Sequence, residues 1–489
     1  MSDITVYSRI IQERRPLLGN ILSEYGNLSV WDATSALLKR GQLYRQSYNS
    51  QFIDLLRLTF PHLNKDYLEK LDVCLKQNPL VSTADHQCPI NHPVYINSNI
   101  QLSLFTKFFS GNKEPYVIPP VLSFSSLPLN NTAYIRGLLM ASMQGEKRFT
   151  FFGSSMRHMA LPMVKSLMFD ESTIKHWTKA NKNSFTEDDL GKIVSTLKRV
   201  SKETEINKCD SYSEQISTWN KWFWLNFFPK YRLEFLPIDL LSKTFFNNIL
   251  INNPQIPLYK FLFNLPNEDK LELFNGIYGC WDLKSNGGTF LFWGISKEKR
   301  LLPLQIKDNY LVCKTDAFAP IKWVPKEIGK AWSTGKIIPS LLMNYLIMVG
   351  HYGLFCSGAF NQIGYLQPIM KAYASGLTKL RLNSEQERVD AMGINGVHAF
   401  LYFLFGATKD LAMPLCGLNM LDEISKMSKI EESLKKITMN EVFTITAPLI
   451  FPYVVAADDV NRYNFSFDKS YKQIRPYIPK ELIIQSWFK

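Results

Sequence analysis

The stretch IYGCWDLKSNGGTFLFWGISKEKRLLPLQIKDNYLVC, Ile277–Cys313, decides the fold class. Its apolar and aromatic residues fall into four short runs, Tyr278–Leu283, Thr289–Ile295, Arg300–Ile306 and Tyr310–Cys313. Ser285-Asn-Gly-Gly, Ser296-Lys-Glu-Lys and Lys307-Asp-Asn divide them. Runs of that length between turn-forming residues predict antiparallel strands joined by hairpins.

On either side the apolar spacing is helical. Ser29–Arg40 and Gln51–Leu58 predict two helices, and Thr186-Glu-Asp-Asp189 opens a third that carries Leu190, Ile193, Val194, Leu197 and Val200. Ser384-Glu-Gln-Glu387 is a further capping-box match. The chain is therefore expected to be α+β, predominantly helical with a central antiparallel β-meander around residues 277–313, and not a βαβ alternation. Three segments are expected: an N-terminal helical cap (1–80), a loop-rich site region followed by helices (81–275), and the meander followed by buried helices (276–489). Trp219, Trp222, Trp224, Phe227 and Phe228 read as aromatic core.

At 489 residues, with 46% hydrophobic and 13% aromatic side chains, the chain has enough apolar mass to offset its ordering entropy, which excludes wholesale disorder. Ile337–Met370 carries no charge and Ala391–Thr408 almost none, but Asn344, His351, Asn361, Gln362, Asn395 and His398 interrupt them. Polar groups are costly in lipid, so two buried core helices are expected and no membrane span. Seven scattered cysteines without a C-x-x-C do not form a disulfide framework, and the N-terminus lacks an apolar signal core, so a cytoplasmic protein is expected.

The net charge is +13. Its densest region, Gly145–Lys202, holds eleven basic side chains against six acidic ones, including Lys192, Lys198, Arg199 and Lys202 on one helix face. No run of five like charges occurs, so a solvated face is favoured over nucleic-acid binding.

The chemistry concentrates in Thr83-Ala-Asp-His-Gln-Cys-Pro-Ile-Asn-His-Pro-Val-Tyr-Ile-Asn-Ser-Asn99. Pro89 and Pro93 predict a rigid non-helical loop, a setting in which side chains converge on ligands. His86 and His92 are the candidate acid–base groups, with Asp85 able to fix a tautomer or raise a neighbouring pKa. Asn91, Asn97 and Asn99 supply substrate-binding donors and acceptors. A metal reading uses His86, Cys88 and His92, although H-x-C and H-x5-H match no established ligand spacing.

Two further clusters are expected to join this loop. Ser123–Asn131 followed by Arg136 offers Ser125, Asn130 and Asn131, with Arg136 or Arg157 gripping an anionic group. Gly350–Gln362 offers His351, Asn361 and Gln362 in a glycine-broken turn inside an uncharged stretch. Cys356-Ser-Gly is no Gly-x-Ser-x-Gly elbow, and His398 reads as a core histidine. No P-loop, G-x-G-x-x-G or H-E-x-x-H is present, so no nucleotide or zinc-helix cofactor is indicated and the cofactor is unknown.

These residues point to an enzyme acting on a small polar, anionic metabolite by histidine acid–base chemistry. The alternatives are a metal-dependent hydrolase or oxygenase using His86, Cys88 and His92, and a non-catalytic basic protein binding nucleic acid or a protein partner. Oligomeric state has no signature in the sequence.

Overall fold

The computed structural model describes residues 3–89, 92–106, 116–129, 137–142, 145–391, 396–421, 427–455, 457–463 and 465–486. It is α+β and mostly helical. The strands that matter here are, in chain order, β1 (Leu80–Ser82), β2 (Val121–Ser123), β3 (Phe235–Pro237), β4 (Phe292–Ile295), β5 (Leu301–Lys307), β6 (Tyr310–Cys313), β7 (Ile321–Lys322), β8 (Ile337–Pro339), β9 (Phe355–Ala359) and β10 (Gly396–Ala399).

The β-meander forms as a five-stranded antiparallel sheet in the order β7-β6-β5-β4-β8. Its β5–β6 hairpin turns through Asp308 and Asn309, both at positive φ (49° and 60°), the geometry that a two-residue hairpin loop demands. Tyr278–Leu283 is not one of its strands. There the Asp282 carboxylate accepts the amides of Lys284 and Ser285, and this local turn replaces a ladder. The sheet gains β7 and β8 instead.

The Ser29, Thr186 and Ser384 signals each mark a helix. Val30–Lys39 is capped by Ser29 Oγ accepting from Asp32 N, and Glu187–Glu203 by Thr186 Oγ1 accepting from Asp189 N. Asn383–Ala391 spans the third signal, and the expected Gln51 helix runs from Gln51 to Thr59. The aromatic cluster is buried on the Tyr212–Phe227 helix and its C-cap residue Phe228.

The described residues of the uncharged runs are mostly buried but do not form two helices. Ile337–Met370 contains β8, a short helix ending in a π turn, β9 and the start of the Gln362–Lys379 helix; Ala391–Thr408 contains β10 and a strand at Phe405–Ala407. Gly353 makes one of these breaks. It sits at φ 65°, and a Cβ there would lie 1.9 Å from the Ser47 carbonyl. Among the described residues no helix is long and apolar enough to cross a membrane.

A second five-stranded sheet, wholly parallel, runs in the order β10-β9-β1-β2-β3. The chain leaves β1 for β2 and β3 on one side and returns as β9 and β10 on the other. The direction of progression therefore reverses between β1 and β9, where Leu80 pairs with Phe355 and Ser82 with Ser357. In an open parallel sheet such a switch point leaves a crevice beyond the carboxyl ends of the two strands. Residues from Leu80 to Ala399 share this sheet, and one apolar cluster extends from Ile4 to Ile484.

Candidate functional site

β1 ends at Ser82 and runs directly into Thr83–His86, while β9 ends at Ala359 and runs into Phe360–Gln362. A cavity of about 310 Å³ opens between these two strand ends and is lined by Thr83, His86, His92, Asn361 and Gln362. Most of the rest of its wall is aromatic, with Tyr95, Tyr278, Phe360, Tyr365, Tyr402 and Tyr453, completed by Ala84, Val94, Ala359 and Pro452. The Asp85 loop and the end of the Gly350–Gln362 segment thus converge at the switch point.

The Asp85 loop is held from several sides. The Asp85 carboxylate accepts Ser123 Oγ at 2.5 Å and the backbone amides of His86 and Gln87, and its carbonyl accepts Phe124 N. Gln87 lies at φ 37°, a left-handed conformation that a non-glycine residue keeps only when its surroundings enforce it. The enforcing contacts are Gln87 Nε2 donating to Ser213 O and Ser213 Oγ donating to Gln87 Oε1. Asn220 Nδ2 secures the Cys88 carbonyl in the same way. The loop therefore presents His86 rigidly.

Contrary to a loop running through Asn99, a buried helix spans Pro93–Thr106. Pro93 occupies its first position, where a missing N–H costs nothing. His92 sits at its start, Nδ1 accepting Val94 N at 3.3 Å. The Gln362–Lys379 helix also begins at the cavity. Two helix N-termini with their positive partial charges therefore meet there, and no lysine or arginine lines the cavity among the described residues.

Burial holds both imidazoles neutral, pushing His86 and His92 down to about 4, and the Arg148 charge adds to this at His92. His86 Nδ1 is buried without a hydrogen-bond partner. Asp85 goes the other way: burial raises it to about 7 against the lowering effect of its hydrogen bonds. The carboxyl thus titrates near neutrality, but it faces Ser123 and the loop backbone.

Gln362 forms the floor. Its Oε1 accepts Thr83 Oγ1 (2.7 Å) and Tyr345 OH (2.8 Å), and its Nε2 donates to Cys356 O. This fastens the start of the Gln362–Lys379 helix to β1 and β9. Asn361 Oδ1 accepts a guanidinium N–H of Arg15 at 3.4 Å.

Other expected site residues are placed elsewhere. Asn97 bridges Pro93 O and Phe403 N inside the packing, and Asn99 is buried in the same helix. Ser125 and Ser126 donate to Asp239, whose other oxygen accepts Asn344 Nδ2, a closed buried network. Arg157 is exposed and donates to its neighbour His158. His351 packs tilted against Phe245 and edge-on against Tyr352. Asn91, Asn130, Asn131 and Arg136 lie outside the described residues.

The metal arrangement does not form. Among the described residues no three His, Cys, Asp or Glu side chains gather as ligands, and burial raises the Cys88 thiol well above its usual range. His398 is a core histidine, Nδ1 against Ser357 Oγ at 2.7 Å. The basic helix face is also interleaved with acids: Lys198 approaches Glu171, and Arg199 meets Glu203 and stacks over Trp222.

Sequence reasoning missed the tyrosines. Tyr95 lies inside the Thr83–Asn99 stretch, but among its histidines and asparagines a single tyrosine carries no signal of its own. Tyr365, Tyr402 and Tyr453 are separated in the chain, on the Gln362–Lys379 helix, just after β10 and on the Met439–Val454 helix, and only the tertiary fold brings them to one wall. Neither a protein-family model nor a curated protein matches this sequence.

Proposed function

We propose that the chain is an enzyme that binds a small polar metabolite at the carboxyl edge of its parallel sheet, with His86 as the acid–base group. The observation that supports this reading most is the convergence of His86, His92, Asn361 and Gln362 on one cavity at the sheet's switch point. A rigid loop, a strained Gln87 and a neutral imidazole with an unpartnered Nδ1 are what such a group needs to be ready for a ligand.

The charge logic narrows the ligand. A neutral imidazole beside two helix N-termini favours an oxygen that carries or develops negative charge, and that charge raises the imidazole's pKa toward neutrality. Binding is then coupled to proton uptake at His86. His92, whose Nδ1 already accepts Val94 N–H, acts as a positioning residue.

The test is a thermal-shift screen of hydroxylated, carbonyl and carboxylated metabolites, followed by calorimetry in buffers of different ionisation enthalpy. Hits should lose at least tenfold in affinity with His86→Ala and bind with net proton uptake below neutral pH. If His86→Ala and His92→Ala both keep native affinity and turnover, the reading is wrong.

A further inference from the structure

A second cavity of about 260 Å³ adjoins the first, and the two share His92, Tyr402 and Tyr453 as a common wall. The inner cavity has no charged side chain among its described lining residues, whereas the outer one is lined by Glu146, Arg148 and Asp468. Charges of both signs therefore stand on one side of the shared wall, with aromatic rings and neutral polar groups on the other.

The outer charges are held in place but not spent. Glu146 and Arg148 lie on the hairpin Gly137–Ser142/Gly145–Thr150, where Leu139 pairs with Arg148 and Ala141 with Glu146. Asn419 clamps this hairpin by accepting Ala141 N and donating to Ala141 O, and Asn181 accepts Thr150 N. Arg148 and Glu146 are 3.9 Å apart, beyond hydrogen-bond distance, so the guanidinium fork keeps its donors for another partner. Asp468 faces them from the Phe467–Ile474 helix.

We infer that the two cavities are one bipartite ligand site, the inner part taking an aromatic ring and the outer part the zwitterionic head of an α-amino acid. This rests on the reading of the inner cavity as the ligand site and supplies its substrate class. Arg148 offers a planar fork to a carboxylate. Glu146 and Asp468 offer two carboxylates to an ammonium. One cation against two anions disfavours a phosphate or a dicarboxylate in the outer part, because a purely anionic head would meet uncompensated like charge. In the inner part, a wall of tyrosines in which Tyr278 and Tyr365 already stack at 5.9 Å accepts a ring, and His86 meets its polar substituent.

The experiment is calorimetry on the full chain with four probes: L-tyrosine, tyramine (no carboxylate), 3-(4-hydroxyphenyl)propionate (no ammonium) and p-cresol (no head). L-Tyrosine should bind at least tenfold tighter than each of the other three. Arg148→Ala should reduce L-tyrosine to the level of tyramine, and Glu146→Gln should remove most of the preference over the propionate. His86→Ala should weaken all four while leaving their ratios unchanged. Lys147→Ala, on the same hairpin but 4.0 Å from Asp189, is the folded control and should leave every ratio intact.

If p-cresol binds the native protein as tightly as L-tyrosine, or if Arg148→Ala and Glu146→Gln leave the ratios unchanged, the outer subsite is overturned. Loss of p-cresol binding in His86→Ala would still uphold the inner site in that case. If none of the four probes binds, the aromatic amino-acid class is overturned, and the metabolite screen decides the inner site separately.

Discussion

Asp85 shows how one residue can hold a site together without entering it. Its carboxyl accepts Ser123 Oγ and two loop amides, yet burial raises it to about 7. Because the folded value lies above the unfolded one, the fold favours the protonated form. That contribution is complete below pH ~4 and is lost as pH rises through about 7. Asp85→Asn removes the titration and keeps an acceptor for Ser123. Urea denaturation should therefore show the variant gaining stability relative to the native chain between pH 5 and pH 8; an equal loss at both would refute this electrostatic role. His86, Asp85 and His92 were legible in the sequence because they crowd into a few residues between prolines. The asparagines beside them carried the same texture for another reason, since Asn97 completes backbone bonds in a helix whose every described residue is buried.

At the scale of elements, the meander could be read because its strands alternate and its turns carry asparagine, aspartate and glycine. The parallel sheet could not. β1, β2 and β3 are each three residues long, too short to show a period, and their partners lie far away in the chain. The Pro93–Thr106 helix was hidden likewise, being apolar or small and amidic on all sides, so it shows no amphipathic stripe. Gly358 links these elements to the site. A Cβ there would lie 2.1 Å from Gln362 Oε1 and 3.1 Å from Thr83 Oγ1, so alanine must displace the amide that ties the second helix start to β1. Gly358→Ala should cost about 1–3 kcal/mol by overpacking and weaken ligand binding with it. A variant with native stability and affinity would show that the Gln362 floor has no part in forming the site.

Across the whole molecule, the feature with the broadest consequence is the burial of neutral histidines. Burial depresses His86, His92 and His351 to about 4 and His398 to about 3. Folded values below the unfolded one mean that the unfolded chain binds more protons between pH ~4 and 6.5, so stability falls as pH drops through that window. Asp85 and Asp239, both raised by burial, oppose it. Unfolding near pH 5 should take up about two to three protons net, measured as the slope of unfolding free energy against pH; a flat slope contradicts neutral burial.

A larger cavity lies elsewhere, a groove of about 670 Å³ along Glu234–Pro237 and the Tyr212–Phe227 helix. Size alone would choose that groove, whereas topology and chemistry choose the crevice between β1 and β9. A crystallographic fragment screen of the intact chain separates the two most directly. Polar aromatic fragments should collect beyond the carboxyl ends of β1 and β9, against His86, Asn361 and Tyr402. Fragments gathered in the groove, with the β1–β9 crevice empty, would contradict that placement.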